Sequence, residues 1–312
     1  KIKMEGKFKL ERKVAIVIST YSQSDLLKKC ISSLKKNTDY KNYRIYLVDD
    51  SGTGKIGGEI KKLFRDIKII INKENLGCSK SYNAGIKESI KDYNPEYIII
   101  LNDDIEFVDK KWLECVVSSG EKYEKVGILG CRMLYPDRSL QWVAKKGKIL
   151  SFMKPGHMKE SEEILKNQIV RDIIGACFVI KRKVIEEIGL WDEGFSPYYG
   201  EETDYCFRAT KKGFYLMYVG ETEVIHHGAS STKKLLSEKV WFIKKRNAIR
   251  LEWLNYNIPD IIKYTFIHIG SSILSKNPFK KLKLLMNAYK YNIKNYKEIK
   301  QKRIERNSWS KI

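Results

Sequence analysis

Within its first hundred residues the chain alternates four short, almost wholly apolar runs with stretches of helical periodicity, and this alternation limits the fold more than any other feature. The runs are Val14–Ser19, Arg44–Val48, Lys68–Ile71 and Tyr97–Leu101. Apolar residues at successive positions suit strands covered on both faces, not strands with one wet face. Behind Ser24, the residues Leu26, Leu27, Cys30, Ile31 and Leu34 recur at helical spacing, and Lys55–Phe64 and Ser79–Lys91 supply helical patterns after the second and third runs. A β-α-β-α-β-α-β order predicts a parallel sheet with right-handed crossovers, whose ligands bind at the carboxyl ends of the strands.

Those ends are polar in every case: Ser19-Thr20-Tyr21, then Asp49-Asp50-Ser51, then Asn72 and Asn75, then Asn102-Asp103-Asp104. Acidic and amide groups brought to one crevice repel or go unsatisfied unless something polar or cationic binds there. A divalent cation with a nucleotide meets that demand, because Mg²⁺ or Mn²⁺ takes a few carboxylates together with phosphate oxygens. For any single Asp, capping of the following helix is the competing explanation.

Beyond Leu101 the pattern is mixed. Trp112–Tyr123 reads as helix and Val126–Met133 as extended, while Tyr135–His157 is irregular and suits an acceptor-facing wall. From about Val240 the chain becomes lysine-rich and aromatic-rich helix, a candidate appendage, and no internal repeat occurs. The formal charge is +22, and Ser231–Ile312 carries 20 basic against 5 acidic residues, so the excess belongs to the C-terminal part. There Lys280, Lys281, Lys283, Lys290, Lys294, Lys297, Lys300, Lys302, Arg303 and Arg306 alternate with leucine, isoleucine and tyrosine. The pattern fits a solvated surface helix, an interfacial helix on anionic lipid, or a nucleic-acid surface. Cys30, Cys78, Cys115, Cys131, Cys177 and Cys206 form no C-x-x-C pair and mostly sit in apolar runs, which points to a reducing compartment without zinc or disulfides. Lys1–Lys13 lacks the apolar core of a signal peptide, and Ile258–Leu274 is interrupted by Asp260, Lys263 and His268, so it is expected to lie on a membrane at most.

Some familiar motifs are excluded. Ser51-Gly52-Thr53-Gly54-Lys55 lacks the spacing of a phosphate loop, and neither G-x-G-x-x-G nor G-x-S-x-G occurs. A nucleotidyltransferase would need a Gly-rich, basic loop straight after the first strand, where Ile18–Ser22 has none.

Taken in order and spacing, the segments VAIVISTYSQSDLLKKCISSL, VDDSG, NLGCSKSYNAG, LNDD, GACFVIKRKVIEEIGLWDEGFSPYYGEETDYCFRATKKGF and VIHHGAS resemble family 2 glycosyltransferases of the GT-A fold, the group that includes rhamnosyltransferase-like enzymes. The resemblance runs from about Val14 to Arg250. It implies an α/β, Rossmann-like nucleotide-diphospho-sugar transferase fold with a mainly parallel sheet. An extension would occupy 1–13, a nucleotide-binding half 14–104, an acceptor-binding half 105–239 and a basic helical region 240–312. It further implies an inverting enzyme that moves a sugar from a UDP-, dTDP- or GDP-sugar to the hydroxyl of a glycan or lipid-linked acceptor. The expected setting is the cytoplasm at the inner face of the membrane, with peripheral contact through the C-terminal region and no nucleic-acid partner. On the matching positions, Asp49 or Asp50 would hold base and ribose beside Thr20 and Tyr21, with Asn75, Gly77, Asn83, Asn102 and Asp103 along the donor pocket. The family's Asp-x-Asp metal motif falls on Asn102-Asp103-Asp104, leaving Asp104 as the metal ligand with His226 or His227 for Mn²⁺ or Mg²⁺. The catalytic base falls on Glu202 in the Glu201-Glu202 pair, and Trp191, Tyr198 and Tyr199 would meet the acceptor. Arg208, four residues after Asp204, pairs with it and has no catalytic role. Two alternatives stay beside this reading: a nucleotidyltransferase, and, because Asn102 replaces the first Asp, a basic binding module without catalysis.

Overall fold

The structure, a computed structural model, describes residues 12–142, 165–228 and 237–309. Its first hundred residues follow the expected order: β1 (Val14–Thr20), α1 (Ser24–Lys36), β2 (Tyr43–Asp49), α2 (Lys55–Leu63), β3 (Lys68–Ile71), α3 (Cys78–Tyr93) and β4 (Tyr97–Asn102). Strands β3, β2, β1 and β4 lie side by side and parallel. Along β1 the side chains divide by parity. Val14, Ile16 and Ile18 pack with Leu27, Ile31 and Leu34 of α1, while Ala15 and Val17 pack with Tyr82 and Ile86 of α3. Burial on both faces is why the run is apolar at every position.

After β4 come β5 (Ile105–Phe107), α4 (Trp112–Lys122), β6 (Val126–Leu134), β7 (Leu140–Trp142), β8 (Gln168–Val170), β9 (Cys177–Lys181), α5 (Arg182–Ile188), α6 (Glu201–Lys211) and β10 (Tyr215–His226). The sheet continues from β4 through β9, β6 and β10 to β5. β9 runs antiparallel to both β4 and β6, so β6 recovers the direction of β4, and β10, parallel to β6, shares it. The carboxyl end of β10 therefore lies at the same sheet edge as Thr20, Asp49 and Asn102, and β9, running the other way, begins there. The irregular stretch proposed as an acceptor wall, Tyr135–His157, lies outside the described residues from 143 onward.

Four helices complete the chain: α7 (Glu238–Asn255), α8 (Ile258–Ile273), α9 (Pro278–Lys294) and α10 (Tyr296–Ser308). They are fastened to the α/β body by buried ion pairs. Arg250 Nη2 on α7 donates to both oxygens of Asp192 at 2.9 Å, and Lys302 on α10 donates to Asp192 Oδ1 at 2.7 Å. Arg306 spans Asp192 and Asp204, reaching Asp204 Oδ1 at 2.5 Å, while Arg208 donates to Asp204 Oδ2 at 2.9 Å. Part of the C-terminal basic charge is thus committed inside the molecule. Buried ion pairs add little net stability over apolar packing, but they fix one docking geometry because any other leaves charges unpaired.

Candidate active site

Side chains at the shared strand edge form three linked groups. The first surrounds the end of β4. Thr20 Oγ1 donates to Asp103 Oδ2 at 2.6 Å, and burial pushes the Asp103 carboxyl up to about 6. Asp104 is buried, and its Oδ1 stands 3.2 Å from His226 Nε2 outside hydrogen-bonding alignment, with no hydrogen-bond partner among the described residues. His226 Nδ1 lies 2.7 Å from Gln141 Oε1. That oxygen can only accept, so Nδ1 donates, and in the neutral ring the lone pair of Nε2 is turned toward Asp104. An unpartnered buried carboxylate oxygen facing an imidazole lone pair is a donor set suited to a divalent cation. No group of three or more His, Cys, Asp or Glu side chains is so arranged among the described residues, so phosphate and water oxygens would have to complete the coordination. His227 goes elsewhere: its ring nitrogen pairs with Glu106 Oε2 at 2.8 Å, and its backbone N–H donates to the Asp104 carbonyl.

The second group holds the loop after β3. Asp50 accepts hydrogen bonds from Asn72 Nδ2 at 2.7 Å and from the backbone N–H of Leu76 and Gly77 at 2.9 Å each. Gly77 has φ +81°, and a Cβ there would come within 2.5 Å of Pro197 Cα, so only glycine allows the contact. The next residue, Cys78, donates its N–H to the Pro197 carbonyl at 2.7 Å, which seats this loop on the segment leading into α6. Tyr21 and Asn75 are exposed alongside. Two sequence expectations are corrected here. Asp49 is wholly buried, and its oxygens accept from Ser51 N–H at 3.0 Å and Gly57 N–H at 2.7 Å, so it holds the start of α2 and offers nothing to base or ribose. Asn83 is buried as well, clasping the backbone N–H and carbonyl of Trp191 at 3.0 Å each, and is a packing residue.

The third group is the first turn of α6. Tyr199 and Gly200, both at positive φ, turn the chain so that Glu201 and Glu202 open the helix. A helix N-terminus favours carboxylates, but burial opposes the charge. Burial, and then the charge of Glu202, push the Glu201 carboxyl well above the usual range, and its Oε2 has no hydrogen-bond partner among the described residues. Burial raises Glu202 too. Asp172, on the loop entering β9, is raised to about 7 by burial and then by Glu202, and Gly175 leaves room beside Glu202. Tyr82 connects the groups: its hydroxyl lies 3.4 Å from Asn102 Oδ1, and Cys78 and Glu201 add to the effect of burial in pushing its own ionisation up.

Tyr198 and Tyr199 are half-buried and meet edge to face, ring centroids 4.9 Å apart, with the Lys244 ammonium 4.6 Å from the Tyr199 ring centre. Trp191 does not join them, which corrects its placement against the acceptor. It is 3% exposed, stacks on Tyr205 at 4.7 Å and packs against Phe178 and Tyr82 in the core. Sequence reasoning missed Asp172, Tyr82 and the residues that hold the 195–200 segment. Asn247 of α7 donates to the carbonyls of Phe195, Tyr198 and Tyr199 at 2.7 to 2.9 Å, and Arg246 donates to Asn247 Oδ1 at 2.8 Å and to the Ser196 carbonyl. The available signal was Arg246, Asn247 and Arg250 at adjacent and i, i+4 positions of one helix.

The family model described as Glycosyl transferase family 2 matches residues 15–189, more than half of the chain. The chain is 25% identical over 237 residues to the O-antigen biosynthesis protein RfbC of Myxococcus xanthus, matching 71% of this chain and 18% of that protein. It is 22% identical over 239 residues to the N-acetylglucosaminyl-diphospho-decaprenol L-rhamnosyltransferase of Mycobacterium tuberculosis, covering 70% of this chain and 76% of that enzyme. Among solved structures, GalNAc-T7 with UDP, GalNAc and Mn²⁺ superimposes with a TM-score of 0.62 at 17% identity, covering 92% of this chain and 58% of that one. The mannosyltransferase PcManGT of Pyrobaculum calidifontis, in complex with GDP-Man and Mn²⁺, gives 0.55 at 11% identity, covering 97% of this chain and 88% of that one. At such identities the likeness is one of fold, and the fold is GT-A. Since the family 2 pattern matches more than half of the chain, including the strand ends at Thr20, Asp50, Asn102 and Asp104, the chain belongs to glycosyl transferase family 2.

Proposed function

We propose that this protein is an inverting glycosyltransferase that moves a sugar from a nucleoside-diphosphate donor to the hydroxyl of a glycan or lipid-linked acceptor. The observation that carries the reading is the pairing, at one sheet edge, of an Asp104 oxygen that faces His226 and has no hydrogen-bond partner among the described residues with the carboxyls of buried Glu201 and half-buried Glu202. Thr20, Tyr21, Asn75, Gly77, Asn102 and Asp103 line the donor side, with Asp50 shaping it. A divalent cation held by Asp104 and His226 would supply positive charge against the diphosphate as its negative charge grows. Glu202 accepts the proton of the acceptor hydroxyl, and the oxygen attacks the anomeric carbon as the bond to the diphosphate oxygen breaks. One displacement inverts the configuration. The raised Glu202 carboxyl makes it a stronger base than a solvated glutamate once ionised, and Asp172 and Glu201, both favoured in neutral form, spare it further like charge. Tyr198 and Tyr199 meet the acceptor. A Mycobacterium relative named for a decaprenol-linked acceptor supports a lipid-linked acceptor here, at the inner face of a membrane.

The test is incubation with a panel of UDP-, dTDP- and GDP-sugars and Mn²⁺, scoring donor turnover. Turnover that disappears in Glu202→Gln and in Asp104→Ala is the expected result. Donor turnover unchanged in both variants, or no donor bound by calorimetry, counts against it, and the latter favours a binding module without catalysis.

A further inference from the structure

Helix α8 is built inside out. Part of its polar set faces the protein, while Lys263 and Ser271 stay exposed: His268 and Ser272 are buried, His268 Nε2 pairs with Glu252 Oε1 at 2.8 Å, Lys245 Nζ reaches His268 Nδ1 at 3.0 Å, and Tyr289 donates to Thr265 Oγ1 at 3.2 Å. Its apolar side chains face outward. Ile258, Ile262, Phe266, Ile269 and Ile273 recur at i, i+4, i+8, i+11 and i+15, which is one stripe on a 3.6-residue helix, and each is between 37% and 69% exposed. A surface helix of a water-soluble domain turns the opposite way, with its apolar stripe against the core. At the corner into α9 the stripe widens through Leu274 and Phe279, both 89% exposed. A continuous exposed apolar patch of this kind marks a contact with something apolar.

Charge identifies the occupant. From Ile261 to Lys297 the sequence contains eight lysines and no acidic residue. A second copy of the chain would bring the same positive field to the same face and be repelled, whereas an anionic lipid surface is attracted by it and also accepts the apolar stripe. No helix of the described residues is long and apolar enough to cross a membrane, so the contact is one of lying on the bilayer. We propose that the outer face of α8 and the α8–α9 corner form a docking surface for an anionic bilayer. The lysines set the approach, and Phe266, Leu274 and Phe279 enter the boundary between headgroups and acyl chains. This places the lipid contact on α8 and the start of α9, upstream of most of the Lys280–Arg306 stretch that sequence periodicity singled out. Lys302 and Arg306 of that stretch are engaged with Asp192 and Asp204 instead. Because α8 packs on α7, and α7 holds the 195–200 segment through Asn247, docking would orient the acceptor side of the cleft with respect to the membrane.

The surface deepens the lipid-linked acceptor proposed above but is tested without donor or acceptor, so either can fail alone. The full chain is spun down with vesicles of phosphatidylcholine and with vesicles of equimolar phosphatidylglycerol and phosphatidylcholine, and Phe266→Asp/Phe279→Asp is compared with wild type after matched thermal melts. Both positions are exposed, so the variant should fold. The expected result is recovery with the anionic vesicles, weakened by added salt and at least tenfold lower in the variant. In Phe279→Trp, brominated acyl chains should quench the new indole. Equal recovery of variant and wild type, equal binding to neutral vesicles, or a dimer that the double variant dissolves without any vesicle binding would overturn the proposal.

Discussion

In the proposed reaction the chemistry turns on Glu202, whose carboxyl makes a direct prediction. Burial raises Glu202, so its ionised, proton-accepting form is gained only above the usual carboxylate range. Accordingly kcat/KM should climb with pH beyond that range on a limb that disappears in Glu202→Gln, with kcat lower by about 100- to 10,000-fold while donor KM stays near wild type. A similar KM with an unchanged kcat would remove Glu202 from the reaction. Gln141 reaches the site through His226, whose tautomer it sets. Gln141→Leu should therefore raise the Mn²⁺ concentration needed for half-maximal activity by about tenfold, the low end for losing such a partner, and leave kcat at saturating Mn²⁺ little changed. No change in that concentration would mean that His226 does not face a cation.

At the scale of elements, the join between the C-terminal helices and the α/β body rests on Asp192 and Asp204. Although burial alone would raise it, the charges of Arg250 and Lys302 hold the Asp192 carboxyl well below its ordinary range. A carboxyl lowered in the folded state contributes stability that is whole above the unfolded value, about 3.9, and drains away as pH falls through the folded one. Acid unfolding of wild type should therefore set in below about pH 4, and Asp192→Asn should flatten that part of the curve. Arg306→Ala should cost about 3 kcal/mol in chemical denaturation, the low end for breaking a buried pair because Arg208 and Arg250 remain in place. A cost near zero would show the network to be solvated. These elements also mark where sequence reading stops. The parallel strands and α1 to α3 were legible to within a residue or two because apolar runs and helical period are local patterns, although the edge strand β3 is exposed at both ends and not covered on both faces. The polar strand ends were legible for the same reason. The reversal through β9, Asn247 over the 195–200 segment and Asp172 beside Glu202 were not, since each is a contact between distant stretches with no periodic trace. Trp191 and Asn83 misled because a residue inside a conserved-looking motif packs as readily as it binds, and only burial separates the two.

For the whole molecule, one polarity organises the parts. A sheet that keeps β1, β2, β4, β6 and β10 pointing one way delivers Thr20, Asn102, Asp104 and His226 to a single edge, and the loop into β9 and the start of α6 add acidic groups to it. The C-terminal helices brace that edge from behind through α7 and expose an apolar face on α8. Donor handling, proton transfer and membrane approach would thus belong to different layers of one body. The most direct test of the cleft itself is calorimetric titration of UDP, dTDP and GDP into the protein with and without Mn²⁺, repeated on Asp104→Ala. One nucleoside diphosphate should bind in the presence of Mn²⁺ and lose most of that affinity on chelation or in the variant. Binding of equal strength with and without the cation, and in Asp104→Ala, would contradict the account.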